Sequence, residues 1–331
     1  MYKLQFIEKE VKNMDMYQKR KIRQDKKNSE SNKESFPKVG INWYPGHMLK
    51  TKKQIIEDLK LIDIVIEILD ARIPISSRNP DIQKIVENKK RIVILNKSDL
   101  AEENETKKWV EYYKQKGIIA IIADANLGKG VKEVLKQIEN IMSEDMKKAA
   151  EKGRIRRNIR VMILGIPNVG KSSLINRLCN KKSTVVGNRP GVTKQKQWVR
   201  IANNIELLDT PGVLWPKFEN EKVAFNLSYT GSIKDEVLDV LEVAFNLLIF
   251  LYNNYKENLM NRYGLTLNDF EEIKSEDKND EIYSLLKLIG RKRGAVISGG
   301  EIDEEKTANI ILNDFRTGKL GRITLEKVNE K

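Results

Sequence analysis

The sequence predicts an α/β fold: a mostly parallel sheet with helices on both faces, followed by a small α-helical domain. Three observations predict it. Short apolar, β-branched runs recur between helical stretches. A glycine-rich loop joins one such run to a helix. From about residue 218 the apolar residues recur on a helical period instead. Continuous apolar runs fit strands covered on both faces, and their alternation with helices implies right-handed parallel crossovers.

Residues 62–69 (IDIVIEIL), 91–95 (RIVIL), 118–122 (IIAII) and 161–164 (VMIL) supply four strands. Two more, 197–201 and 205–208, meet at the turn Asn203-Asn204. Helices are expected over 79–87, 105–116, 130–148 and 171–178. In the second domain they are expected over 234–255, 280–289 and 304–315. The domain boundaries so drawn are 1–38, a basic and mobile arm; 39–217, the α/β domain; and 218–331, the helical domain. The arm carries 11 Lys/Arg against 6 Asp/Glu and few strong apolar positions after Tyr17. It either contacts RNA or is a solvated tail.

A chain of 331 residues, 40% hydrophobic and 33% charged, is long enough for a well-buried core in two domains. The net charge of +14 and the pI near 9.5 favour polyanionic partners such as nucleic acid, or reflect a lysine-rich proteome. The single cysteine, Cys179, and the single histidine, His47, exclude a disulfide framework and a Cys/His zinc site. Cys179 is expected as a small buried hydrophobe on the apolar side of its helix. The most apolar run, 243–252, is broken by Asn246 and falls short of the roughly 18 residues a membrane span needs. The first dozen residues are charged and lack the apolar core of a secretory signal. The expected location is the cytoplasm, with no membrane partner.

Gly165-Ile-Pro-Asn-Val-Gly170-Lys171-Ser172 is a G-x-x-x-x-G-K-[ST] loop between a strand and a helix. Its glycines let backbone N–H groups, among them those of Pro167's neighbours Asn168 and Val169, converge on phosphate oxygens. Lys171 is placed to bridge the terminal phosphates, and the hydroxyl of Ser172, with Ser173 beside it, to bind Mg²⁺ and phosphate. Asp209-Thr-Pro-Gly212 follows the strand 205–208. Asp209 would orient the Mg²⁺ shell and the Gly212 N–H would sense a γ-phosphate. Asn96-Lys97-Ser98-Asp99 ends the strand 91–95 and selects the base. The Asp99 carboxylate can accept the N1–H and 2-amino hydrogens of guanine, which adenine cannot offer, while Lys97 lies along the base plane. Asp124 and Ala125 follow the third strand, and the Ala125 N–H is placed for the guanine carbonyl. Thr193, in Arg189-Pro-Gly-Val-Thr193, is either a switch residue completing the Mg²⁺ shell or a hydroxyl on a mobile loop.

These motifs bind GTP or GDP with Mg²⁺, but their order is permuted. Base selection at 96–99 and 123–125 precedes the phosphate loop at 165–172. Chain termini in a compact domain often lie close together, so joining them and cutting elsewhere keeps the packing. The cut falls after Asp209–Gly212, which then leads directly into the helical domain. The fold is therefore expected as a circularly permuted, Ras-like P-loop NTPase.

Further segments carry a resemblance: Trp43-Tyr-Pro-Gly-His47-Met48, Asp70-Ala-Arg72-Ile-Pro74 with Ser76-Ser-Arg-Asn-Pro80, Arg189-Pro-Gly191, Trp215-Pro216 after Asp209–Gly212, and Ser298-Gly-Gly300. With the nucleotide motifs they make residues 41–325 similar to the YlqF/RbgA group of circularly permuted GTPases, the ribosome biogenesis GTPase A family. The resemblance implies a GTPase that binds the large (50S) ribosomal subunit precursor late in assembly and is stimulated by it. It implies rRNA contacts from the basic connector 147–160 and the helical domain. A monomer off the ribosome is expected.

In Ras-like enzymes a glutamine directly after the D-x-x-G motif orients the attacking water; here the position after Gly212 is Val213, which cannot hold a water. The resemblance implies that His47 acts in hydrolysis by positioning or polarising the water; the alternative is that it packs beside Trp43 and shapes a docking loop. Asn168 resembles the residue that holds K⁺ in cation-dependent GTPases, or it shapes the loop by hydrogen bonding. Arg72 is expected in a structural ion pair with Asp70. A GTP-dependent RNA-binding scaffold with little turnover is the alternative function. A P-loop kinase fits Asn96–Asp99 poorly, and a zinc-binding permuted GTPase of the small subunit needs more than one cysteine.

Overall fold

The computed structural model describes residues 46–152, 158–179, 197–202, 204–215 and 220–328, without the side chains of 46–49, 149 and 197. The described chain forms two compact units: residues 46–237 with 321–328, and residues 238–320.

The first unit is built on six strands: β1 (Ile64–Asp70), β2 (Lys90–Asn96), β3 (Ile119–Ile122), β4 (Ile159–Leu164), β5 (Gln197–Ala202) and β6 (Ile205–Asp209). Their order across the sheet is β3-β2-β1-β4-β6-β5, all parallel except β5, which runs antiparallel to β6 at one edge. β1 is buried at every position, as a central strand with helices on both faces requires. All six expected strands are present. The first three wind outward to one side of β1, and β4, β6 and β5 fill the other. The winding reverses between β1 and β4, and ligands of open α/β sheets sit outside the carboxyl ends of strands at such a switch point.

Helices α1 (Gly46–Asp58), α2 (Pro80–Ile85), α3 (Glu103–Gln115), α4 (Val131–Glu151), α5 (Lys171–Leu178) and α6 (Glu221–Tyr229) complete this unit. α2 is shorter than the expected 79–87, because Asn79 is its N-cap and accepts from the Asp81 and Ile82 N–H groups. Under α3, Trp109 and Tyr113 close over Leu69, Val93 and Leu95 from β1 and β2. Cys179 caps the end of α5 and is half-buried there, where a fully buried position was expected, because the helix stops one residue before it.

The second unit is helical: α7 (Val240–Asn254), α8 (Lys256–Tyr263), α9 (Leu267–Glu272), α10 (Lys278–Lys292) and α11 (Glu304–Arg316). The single helix expected over 234–255 begins later. Residues Asp235–Val237 form a 3₁₀ turn, and the Asp239 side chain caps α7 by accepting from the Glu242 N–H. α7 supplies the core, with Phe245, Leu247, Leu248 and Leu251 buried among residues of α10 and α11. Arg262 of α8 makes a two-pronged pair with Asp314 of α11 at 2.8 and 2.9 Å.

The expected boundary at 217/218 differs from this division. α6 belongs to the sheet unit, where Ala224, Leu227 and Tyr229 are buried. The tail 321–328 belongs there too: the Ile323 N–H donates to the Leu100 carbonyl at 2.9 Å and the Leu325 N–H to the Arg72 carbonyl at 2.9 Å. No described helix is long and apolar enough to cross a membrane.

Candidate nucleotide site

Every parallel strand ends in residues singled out from the sequence. β4 ends just before Gly165, β6 at Asp209, β2 at Asn96, β3 just before Ala123 and Asp124, and β1 at Asp70. In-register pairing sets Asp70 opposite Asn96 and Asp209 opposite Ile163. Five carboxyl ends at one edge of one sheet bring together segments from 70 to 212 in the chain.

After β4 the backbone turns tightly into α5. Asn168 takes φ +57° and Gly170 φ +100°, and Lys171 is the first residue of the helix. Gly170 is needed twice over, since a Cβ there would sit 2.2 Å from Asn96 Nδ2. Lys171 is buried, and its Nζ donates to the Gly165 and Ile166 carbonyls at 3.1 Å each. Burial pulls its pKa down to about 8, with Asp209 partly offsetting it. Ser172 and Ser173, in the first turn of α5, are half-buried.

The turn after β6 rests on this loop. Asp209 is 1% exposed, and the Thr210 hydroxyl donates to the Ile163 carbonyl at 2.7 Å. A Cβ on Gly212 would lie 2.8 Å from Pro167 N and 2.9 Å from Lys171 Nζ, so only glycine lets the backbone come this close to the lysine. The Val213 N–H donates to the Gly165 carbonyl at 3.3 Å, and its side chain is 3% exposed.

Asn96 links the base loops to the phosphate loop. Its Nδ2 donates to the Val169 carbonyl at 2.8 Å, and its Oδ1 accepts the Ala125 N–H at 3.0 Å. The N–H assigned from the sequence to a guanine carbonyl is thus engaged by a side chain, so a carbonyl approaching Ala125 would share it with Asn96. Asp124 Oδ1 accepts the Asn126 and Leu127 N–H groups at 2.9 and 3.0 Å, shaping the same loop. Arg177 of α5 donates to the Ala125 carbonyl at 3.3 Å and also to that of Asn126. Asp99 is exposed, as a base-selecting carboxylate must be. The protein around it still removes part of its hydration, which raises the carboxyl's pKa, and the nearby Asp124 raises it further.

Lys97, in the left-handed region at φ +57°, places its Nζ 3.1 Å from Asp70 Oδ2. Arg72 holds the same carboxylate through Nε at 2.9 Å and NH2 at 2.8 Å, the ion pair expected from the sequence. Burial pushes the Asp70 carboxyl up, but Arg72 and Lys97 outweigh it and hold it well below the usual carboxylate range.

Two contributors went unread in the sequence. Asn79 Nδ2 donates to the Val213 carbonyl at 3.0 Å. Glu326, 5% exposed, accepts the Ile75 N–H at 2.6 Å, the Ser76 N–H at 3.1 Å and the Ser76 hydroxyl. Asn79 lies within Ser76-Ser-Arg-Asn-Pro80, beside the residues that carry the resemblance; nothing local marks Glu326. Thr193 and the Arg189–Gly191 segment lie outside the described residues. His47 falls in the first turn of α1, and its side chain lies outside them too.

The donor set fits a nucleoside triphosphate with its metal. A glycine-bounded loop at a helix N-terminus, a buried ammonium and a backbone too close for any Cβ make a phosphate cradle. The Ser172 hydroxyl and the buried Asp209 carboxylate are hard oxygen ligands of the kind Mg²⁺ takes. Lys171, Ser172, Asp209 and Gly212 would hold them, and Mg²⁺ would neutralise phosphate charge there.

Fold and site define a P-loop GTPase whose motifs are circularly permuted. The family model for 50S ribosome-binding GTPases matches residues 160–286, beginning at the strand that leads into the phosphate loop and leaving Asn96–Asp99 outside, as permutation requires. The chain is 48% identical over 291 residues to ribosome biogenesis GTPase A of Priestia megaterium, covering 88% of this chain and 98% of that one. It is 32% identical to ribosome biogenesis GTPase A of Thermotoga maritima over 290 residues, 87% of this chain and 94% of the other. The crystal structure of YlqF from T. maritima with a bound GTP analogue superposes with a TM-score of 0.59 at 28% identity, over 85% of this chain and all of that one. The chain belongs to the ribosome biogenesis GTPase A family, and is a GTP-binding GTPase of ribosome assembly.

Proposed function

We propose that this protein binds the large ribosomal subunit precursor in its GTP form, hydrolyses GTP late in assembly under stimulation by that particle, and leaves it as GDP forms. The observation that supports this best is the apolar, 3% exposed Val213 directly after Gly212. It is buried against the phosphate loop and offers no group to orient a water, so the site by itself is built for slow turnover. A stimulating partner would complete it. The family model is that of 50S ribosome-binding GTPases, and the net charge of +14 suits an rRNA surface.

In this reading Lys171 and the backbone N–H groups of the loop 165–173, Pro167 excepted, hold the phosphates, Ser172, Asp209 and Thr193 surround Mg²⁺, and Gly212 senses the γ-phosphate. Asp99 and Lys97 select guanine, with Asp124 and Ala125 at the base edge. His47, near the start of α1, positions the attacking water once the particle orders its surroundings. Asn168 donates its Nδ2 to the Gly231 carbonyl at 2.7 Å, and its Oδ1 is the atom that would ligate K⁺ beside the phosphates. The connector 147–160 and the helical unit 238–320 contact rRNA. The protein works in the cytoplasm as a monomer off the particle.

The deciding experiment is GTP turnover with and without purified large subunits, paired with sedimentation in GTP, GDP and a non-hydrolysable analogue. Stimulated turnover and analogue-dependent co-sedimentation are expected. Binding without stimulation would instead make the protein a GTP-dependent RNA-binding scaffold. Retention of full stimulated activity by His47→Ala would remove the histidine from the mechanism, and equal rates in KCl and NaCl would remove the monovalent ion.

A further inference from the structure

The loop between β1 and α2, residues 71–79, is gripped from two sides by residues far away in sequence. On one side stands Glu326, in the tail. Its carboxylate accepts the Ile75 N–H at 2.6 Å, the Ser76 N–H at 3.1 Å and the Ser76 hydroxyl. It also accepts Asn226 Nδ2 of α6 at 3.0 Å, and Asn226 donates to the Ser76 hydroxyl oxygen at 3.1 Å. The tail backbone is fixed alongside: Leu325 N–H to the Arg72 carbonyl at 2.9 Å, and Trp109 Nε1 to the Glu326 carbonyl at 2.9 Å. A carboxylate buried to 5% exposure and given four donors is a built junction, not a surface contact.

On the other side the loop holds the turn after β6. Asn79 divides its amide between two tasks. Oδ1 caps α2, and Nδ2 donates to the Val213 carbonyl at 3.0 Å. The Val213 N–H in turn donates to the Gly165 carbonyl at 3.3 Å. Val213 is thus held at both its backbone polar groups, and the peptide that precedes it is that of Gly212. A rotation of that turn would have to break the Asn79 bond.

We propose that Asn79 and Glu326 are positioning residues for γ-phosphate sensing: Glu326 clamps loop 71–79, and through Asn79 that loop sets the Gly212 N–H against the phosphate loop. This deepens the proposed function and rests on its reading of Gly212 as the γ-phosphate sensor. The chain tail, which follows the helical unit in sequence, then bears through loop 71–79 on the element that distinguishes GTP from GDP.

Asn79→Ser tests this cleanly, since serine keeps an N-cap oxygen for α2 and lacks the donor to Val213. Glu326→Gln keeps the shape but turns an NH₂ toward donors. Full-length proteins are titrated with GDP and a non-hydrolysable GTP analogue, and single-turnover GTP hydrolysis is followed. For Asn79→Ser the expected result is a roughly tenfold loss of analogue affinity and of the hydrolysis rate, the worth of one buried hydrogen bond, with GDP affinity within about twofold of the parent. The double variant with Glu326→Gln should lose less than the product of the two single losses, because both act on one loop. Equal losses for GDP and the analogue would overturn the proposal, making the contacts structural only; so would no loss at all. The underlying reading is checked separately in the unsubstituted protein labelled with fluorotryptophan. Trp215 lies three residues past Gly212, and its fluorine resonance should differ between GDP and analogue. No difference there sinks the sensor reading itself. A difference that Asn79→Ser leaves unaltered sinks the proposal alone.

Discussion

Asn96 ties the base loop to the phosphate loop, its Nδ2 bonded to the Val169 carbonyl at 2.8 Å and its Oδ1 to the Ala125 N–H at 3.0 Å. Both bonds are buried, and both ends are backbone, so the side chain sets the spacing between two nucleotide-binding loops. Asn96→Ala leaves a buried N–H and a buried carbonyl unpaired, which costs about 1–3 kcal/mol at each. The expected outcome by calorimetry is a fall in affinity of about tenfold or more, similar for GDP and GTP, since neither bond involves Gly212, the residue read as the γ-phosphate sensor.

Lys171 predicts a pH dependence. Its ordinary pKa of 10.5 is brought down to about 8 by burial. A phosphate favours the ammonium form, so nucleotide binding raises that pKa and takes up a proton wherever the free lysine is neutral. GDP affinity should therefore be flat below about pH 8 and fall toward tenfold per pH unit above it. For folding the sign is opposite: between about 8 and 10.5 the unfolded chain binds the extra proton, and stability rises with pH. Calorimetry in buffers of differing ionisation heat reads the proton uptake directly. Lys171→Arg, which stays charged, should abolish the slope.

Asp99 predicts a change of base. Its exposed carboxylate offers two acceptors to the N1–H and 2-amino hydrogens of guanine. Asp99→Asn replaces one acceptor by a donor. Guanine nucleotides should then bind about 100-fold more weakly, while xanthine, with a carbonyl in place of the 2-amino group, gains a partner. Competition between GDP and XDP measures the ratio, which should invert.

The buried pair of Asp70 and Arg72, with side chains 2% and 1% exposed, predicts a stability effect. Arg72→Leu strands the Asp70 carboxylate with Lys97 as its remaining cation, and should cost about 3–5 kcal/mol in urea unfolding. Asp70→Asn in the Arg72→Leu background removes a buried carboxylate that has lost its two-pronged partner and should recover part of that loss.

Much of the site was legible because each nucleotide motif is a short segment at the end of a strand, where the residues that do the chemistry are also neighbours in the chain. Lys171 and Ser172, or Asn96 and Asp99, need no distant partner to be recognised. The helical unit was less legible. The run 234–255 reads as one apolar helix, yet the Asp239 side chain starts a new helix inside it, and a non-helical Tyr255 at φ −141° separates α7 from α8. The residues of α6 carry the same helical pattern as those beyond Leu238, so periodicity could not tell which unit would bury them.

From residues alone come the GTPase class and the permuted order of its motifs, with the residues expected to read the base and hold the metal, since spacing within a loop is a local property of the chain. Only the folded chain decides that Glu326 closes on Ser76 and that Asn79 reaches Val213. Those bonds join segments separated by 250 and 134 residues. No local period or propensity encodes such a meeting; it exists because the sheet's winding and the tail's return bring the two backbones to the same buried place.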